Sequence, residues 1–170
     1  HPSFERHDYI GWNYRMSELN CAVALAQTER ADELIDQRKK IGKTFKDAIE
    51  GFEWFSPQHV GQDYESSYWA FACRLDTEHV SWDDFRERFL HEGGDSYYGA
   101  WIVTYLEPLF KNRMFRQREA IMKHIYNSGL CPNAEKLQPQ IKAFKTNYMS
   151  LKEAKKQAEI LNSTLRFFNV

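Results

Sequence analysis

The chain has 170 residues, of which 42% are apolar and 28% charged, with a formal net charge of −1 at pH 7. That length suits one well-buried core and excludes two large domains. The near-neutral balance excludes a dominant basic field of the kind that drives nucleic-acid binding.

The first segment, Gly11-Trp12-Asn13-Tyr14-Arg15-Met16-Ser17-Glu18-Leu19, places an amide, a phenol and a guanidinium just before a helix. The first amides of that helix have no intrahelical partner, so the combination suits anion or cofactor contact. From Ser17 to about Glu50 the residues favour one long helix. Its start, Cys21-Ala22-Val23-Ala24-Leu25-Ala26, is apolar nearly all round, which predicts burial on several sides as an inter-subunit or interdomain helix. Beyond Glu29 the apolar positions Leu34, Ile41, Phe45 and Ile49 fall at helical spacing. Gly42 marks a possible bend and Gly51 a stop.

Phe52–Pro57 reads as a short strand, and Ser66–Leu75 as the best strand of the chain, rich in aromatics. Ser81-Trp82-Asp83-Asp84 opens a helix that runs to about Glu92, where Gly93-Gly94 ends it. Asp95–Val103 is aromatic and reads as a strand or a loop. Tyr105–Phe110 makes a helical turn around Glu107-Pro108, and 111–129 is ambiguous. Pro132 and Pro139 bracket a short helix over Asn133–Leu137. Ser150-Leu151-Lys152-Glu153 is a full capping box, followed by an apolar face through Ala154, Ala158, Leu161, Leu165 and Phe168. This order predicts an α+β domain with a small antiparallel sheet flanked by helices.

The residues alone offer no catalytic constellation. The six histidines show no metal spacing and no paired nucleophile, so no metal is expected and a structural or exposed role is the plain reading. Asp83 and Asp84 sit at a helix start, where the macrodipole accounts for them. The basic run from Arg38 to Lys46 reads as a solvated helix face, with a phosphate patch as the alternative. Cys21, Cys73 and Cys131 are widely spaced, which predicts free, mostly buried thiols in a reducing cytoplasm. No apolar run approaches membrane-spanning length, and the start at His1-Pro2-Ser3 has no signal-peptide pattern and no methionine, as a trimmed start would.

A resemblance adds to this. Gly11–Leu19, then Ala22–Ala26 and Gln27-Thr28-Glu29-Arg30, resembles the segment G-x-N-Y-R-M-(S/T)-x-(I/L)-x-A-A…Q-L-E-R of the DegT-type nucleotide-sugar aminotransferases. Ser67-Tyr68-Trp69-Ala70-Phe71 is similar to the family's aromatic, sugar-facing strand, and Cys131-Pro132-Asn133-Ala134-Glu135 to its C-P-x-A-E element. Asp95-Ser96-Tyr97-Tyr98-Gly99-Ala100-Trp101 departs from the G-I-…-P loop that the family often carries near the sugar. Thr28 and Ala31 replace the usual leucines of Q-L-E-R-L.

The resemblance implies the small C-terminal α+β domain of a fold-type-I pyridoxal-phosphate transferase, preceded by a long connecting helix. Residues 1–30 would form an interface loop and the start of that helix, and 31–170 the small domain. It implies pyridoxal 5′-phosphate as cofactor, glutamate as amino donor, a nucleotide-linked keto-sugar as substrate, and a homodimer that shares its site. Asn13 would reach the cofactor phosphate of the neighbouring subunit, with Arg15 beside it. Tyr68, Trp69, Tyr97 and Tyr98 would face substrate. In the family the Schiff-base lysine lies upstream, and no lysine precedes Lys39 here, so no catalytic residue is expected in this chain and it should be inactive alone. Two alternatives remain at this level: part of a sugar 3-dehydratase, in which histidine replaces that lysine, and a non-catalytic interaction module.

Overall fold

A computed structural model describes residues 4, 5, 11, 15–114 and 126–169. They belong to two units, one of Arg15–Tyr97 with Lys142–Val170 and one of His1–Tyr14 with Tyr98–Ile141.

In the larger unit, the expected single helix is two. Helix α1 spans Glu18–Glu29 and α2 spans Ala31–Ala48, with Arg30 between them at φ −104°, ψ 11°. The cause is local. The Thr28 hydroxyl donates back to the Ala24 carbonyl at 2.8 Å, a bond that bends helices. The Arg30 guanidinium then grips Glu33 at 3.0 and 3.1 Å, fastening the first turn of α2 rather than continuing α1. Ser17 caps α1 by accepting from the Asn20 amide. No residue of α1 is buried, so the predicted burial of its apolar start is not met within this chain.

Helix α2 buries Ile41, Gly42 and Phe45, and Gly42 continues the helix instead of bending it. Strand β1, Phe55–Pro57, pairs antiparallel with β2, Ala70–Leu75, placing Phe55 opposite Leu75 and Pro57 opposite Cys73. Strand β2 starts later than Ser66 because Tyr68 takes a left-handed conformation at φ 49°, which no strand accommodates. Its alternating residues Phe71, Cys73 and Leu75 are buried.

Helix α3, Trp82–His91, begins at Ser81, whose hydroxyl oxygen accepts from the Asp84 amide at 3.0 Å. Strand β4, Ile141–Lys145, was not anticipated, and the sheet runs β1-β2-β4 in this unit. The last helix, α6, is Leu151–Phe168, capped by Ser150 as its capping box predicts.

The core joins these elements through aromatic contacts. Phe45 meets Phe71 at 5.6 Å and Phe144 at 5.9 Å, and Phe55 stacks on Phe85 at 5.2 Å. Helix α6 contributes Ala154, Ala158, Leu161 and Leu165 on one face. The Asn162 amide donates to the Ala48 carbonyl at 2.7 Å, closing the end of α2. His79 is structural: its ring stacks on Trp54 at 4.4 Å and a ring nitrogen meets the Phe168 carbonyl at 2.8 Å. Cys73 is buried, but Cys21 and Cys131 are exposed, which corrects the expectation of mostly buried thiols.

The smaller unit holds strand β3 (Tyr98–Gly99), a 3-10 turn at Thr104–Leu106, helices α4 (Pro108–Lys111) and α5 (Pro132–Leu137), and a second 3-10 turn at Gln138–Gln140. The aromatic stretch 95–103 is thus mostly loop. Part of the ambiguous region, 115–125, lies outside the described residues. Among the described residues no helix is long and apolar enough to cross a membrane.

Candidate functional site

The N-terminal motif is only partly placed. Asn13 lies outside the described residues, while Arg15 is exposed two positions before the cap of α1. An exposed guanidinium there suits an anionic group brought by another polypeptide segment.

Tyr68 and Trp69 are held by their backbone carbonyls. Thr146 Oγ1 donates to the Tyr68 carbonyl at 2.5 Å, and Arg38 Nη1 donates to that of Trp69 at 2.9 Å. The two rings then diverge. Tyr68 is half-buried, 6.1 Å from Phe71, with its ring lying over Gly42, whereas Trp69 is 79% exposed. A left-handed non-glycine residue costs about 1–3 kcal/mol and persists only where its surroundings over-determine it. Here Gly42, Thr146 and Arg38 do so.

Beside Tyr68 opens a cavity of about 540 Å³, within the range of metabolite-sized sites. Lys39, Lys46, His59, Tyr64 and Glu65 are among its lining residues. Lys39 Nζ meets Glu65 Oε2 at 2.9 Å, and that bond raises the Lys39 pKa, so the ammonium stays charged. The cavity therefore sets cationic and aromatic groups beside the Glu65 carboxylate, which suits a polar ligand with a planar part.

The adjacent tyrosines Tyr97 and Tyr98 part company. Tyr97 is a core residue, 4.9 Å from Phe144 and 5.5 Å from Trp82, and burial pushes its phenol up. Tyr98 is 65% exposed and begins a segment in which Trp101 is 48% exposed.

That segment is tied to the C-P-x-A-E element. Glu135 accepts from Tyr105 OH, from Ser128 Oγ at 2.6 Å, and from the Gly129 amide at 2.8 and 2.9 Å. The Ser128 and Tyr105 hydroxyls hold the carboxyl down to about 2, and Tyr105, chiefly by desolvation and then by Glu135, is pushed up to about 12. The motif alone does not show the task of its last residue. The signal was its glutamate, a short acceptor-only side chain placed just after a glycine turn.

The aminotransferase family described as DegT/DnrJ/EryC1/StrS matches residues 2–158. This chain belongs to that family. Its curated relatives include the putative pyridoxal phosphate-dependent aminotransferase EpsN of Bacillus subtilis, 27% identical over 131 residues, covering 74% of this chain and 33% of EpsN. The GDP-perosamine synthase of Vibrio cholerae is 28% identical over 116 residues, covering 64% of this chain and 30% of the synthase. The chain thus spans about a third of the length of these relatives.

Among solved structures, S. venezuelae DesV superposes with a TM-score of 0.71 at 16% identity, over 94% of this chain and 39% of DesV. Helicobacter pylori PseC gives 0.64 at 18%, over 93% and 40%. At these identities the likeness is one of fold, and it bears out the expectation of an α+β part of the fold-type-I architecture.

The DegT-type family is pyridoxal-phosphate-dependent, so its cofactor can be tested against the residues described. The exposed Arg15 fits a phosphate dianion. Lys142 has the lowered pKa that a Schiff-base amine needs, about 7, through burial. Yet its ammonium lies 5.3 Å from the centre of the Trp82 ring with none of the residue exposed, so no cofactor carbonyl can reach it. The described residues therefore fit the cofactor's phosphate and do not present Lys142 to its aldehyde.

Proposed function

We propose that this chain is the C-terminal portion of a pyridoxal-phosphate-dependent aminotransferase acting on a nucleotide-linked keto-sugar, with glutamate as amino donor. What carries the reading is the family match over residues 2–158 combined with the one-third share of the relatives' length. The cofactor, when bound, supplies the electron sink and carries the amino group. The lysine that would hold it covalently lies in the polypeptide that completes the enzyme.

This chain's own tasks are binding and orientation. Asn13 and Arg15 donate to the phosphate across a homodimer interface, each as a charge-assisted contact. Residues 1–30 form the shared loop and the start of the connecting helix, and 31–170 the small domain. Helix α1, which buries none of its residues and carries Leu19, Val23 and Leu25 exposed, is the surface on which the remaining polypeptide packs. Trp69 and Tyr98 offer exposed aromatic faces to substrate, and Tyr68 backs Trp69. Tyr97 is left to the core. The protein works in the cytoplasm, where nucleotide sugars and reduced thiols coexist.

The test is an assay of the complete polypeptide carrying this segment, with glutamate and nucleotide-linked keto-sugars. The expected product is the aminated sugar nucleotide, and 2-oxoglutarate accumulates alongside it. Release of a dehydrated sugar without amino transfer would overturn the reading. The isolated 170-residue chain should leave the visible absorbance of added pyridoxal phosphate unchanged.

A further inference from the structure

Within the smaller unit, one short segment grips another at two places. Glu135 accepts from Tyr105, Ser128 and Gly129, and the Cys131 amide donates to the Tyr105 hydroxyl at 3.0 Å. Three residues beyond Glu135, the Gln138 side-chain amide (Nε2) donates to the Ala100 carbonyl at 2.7 Å. The stretch 131–138 therefore fastens 98–105 at Ala100 and again at Tyr105. Gly129 makes this possible: at φ +95° it turns the chain so that its amide faces both carboxylate oxygens.

Between and beside the two fastenings stand Tyr98 and Trp101, the large exposed aromatics of this segment. We propose that Glu135 is a positioning residue that fixes, through Tyr105, the segment carrying Tyr98 and Trp101, and so sets affinity for the nucleotide-sugar rather than turnover. Gln138 is its second anchor. The proposal rests on the sugar-aminotransferase reading for the identity of the ligand, but the fastening itself does not.

An ionised acceptor suits this task. Bonds to a carboxylate are shorter and stronger than neutral ones, and a single carboxylate can serve several donors at once. A glutamine in its place keeps one acceptor oxygen, loses the charge, and meets the remaining donors with an NH2 group. Loss of such charge-assisted bonds at a site is expected to weaken the dependent step roughly ten- to a hundredfold.

The experiment has two arms. In the 170-residue chain, Glu135→Gln and Tyr105→Phe are compared by NMR, following the Trp101 indole N–H and exchange of the Gly129 and Cys131 amides. Both variants should shift the Trp101 resonance and speed exchange at those amides, with the β2 amides unchanged. Faster exchange at Gly129 with an unmoved Trp101 would reduce Glu135 to a turn cap and overturn the proposal.

In the complete polypeptide, the same variants should raise KM for the nucleotide-sugar about tenfold and leave kcat within about twofold. A fall in kcat at unchanged KM would overturn the positioning role. A wild-type polypeptide with no sugar-aminating activity sinks the functional reading and the ligand with it. The NMR arm still decides the fastening, so the two failures are distinguishable. Should Glu135→Gln fail to fold, Tyr105→Phe, which removes one hydroxyl, carries both arms.

Discussion

The ring of Tyr68 lies against Gly42 so closely that a Cβ at position 42 would fall 2.5 Å from its Cγ. In an exposed helix, alanine would be favoured over glycine by about 1 kcal/mol. Here the backbone of the residue it would strike is held by Thr146 on the Tyr68 carbonyl, and its ring packs on Phe71, so it has little freedom to retreat. Gly42→Ala is therefore expected to destabilise the chain by about 1–3 kcal/mol despite its better propensity. Urea denaturation measures it, and a gain in stability would show that Tyr68 moves aside freely.

Lys142 supplies a pH dependence opposite in sense to that of an ion-paired lysine, whose contribution is lost as pH rises. Burial lowers its folded pKa to about 7, whereas an unfolded lysine titrates near about 10.4. Between those values the unfolded chain binds more protons, so stability rises with pH across that window and the penalty is fully present below about 7. Lys142→Met should raise the melting temperature at pH 7 and flatten the rise between neutral pH and pH 9. An unchanged slope would mean that Lys142 keeps its proton in the fold.

Glu135 behaves in the ordinary carboxylate direction. Its folded pKa is held near 2, below the unfolded value of about 4.3, so its contribution is complete above the unfolded value and is lost as pH falls toward 2. The Gly129 amide chemical shift should stay constant from neutrality to about pH 4 and move only below it. A midpoint at an ordinary carboxylate pKa would contradict the bonds described.

Helix α1 and helix α6 should answer differently to the same deletion. Leu25 is exposed on α1, and Leu25→Ala should change the stability of the isolated chain by less than about 0.5 kcal/mol. Leu161 is wholly buried on α6, and Leu161→Ala should cost about 2–5 kcal/mol. In the complete polypeptide the first value should rise above about 1 kcal/mol if α1 is covered there. Thermal unfolding of both forms makes the comparison.

Local signals were legible where chemistry is local. Ser81 and Ser150 each cap the helix that their spacing announces. The apolar faces of α2 and α6 follow their 3.6-residue period into the core. What escaped depended on contacts distant in sequence. Strand β4 was missed because Lys142 occupies a buried position of its alternation, so the apolar period reads as broken. The break at Arg30 needed the Thr28 back-bond and the Glu33 pair, neither of which disturbs the apolar pattern.

The candidate site divides in the same way. The motif led to Arg15 and to the aromatic strand, but which of two neighbouring rings faces outward depends on Gly42 and Thr146, remote from Tyr68 in the chain. Tyr97 and Tyr98 are identical side chains one residue apart, and it is the packing of Trp82, Phe85, Phe89 and Phe144 against the first that assigns it to the core. The task of Glu135 required knowing that Tyr105 lies within its reach.

The thiols offer a practical opening. Burial suppresses ionisation of the Cys73 thiol, while Cys21 and Cys131 are exposed, one in each unit. A maleimide dye pair should therefore attach at those two sites with the third silent, and without any engineered cysteine. Energy transfer between the dyes would then follow the two units in real time as the cofactor or a sugar nucleotide is added.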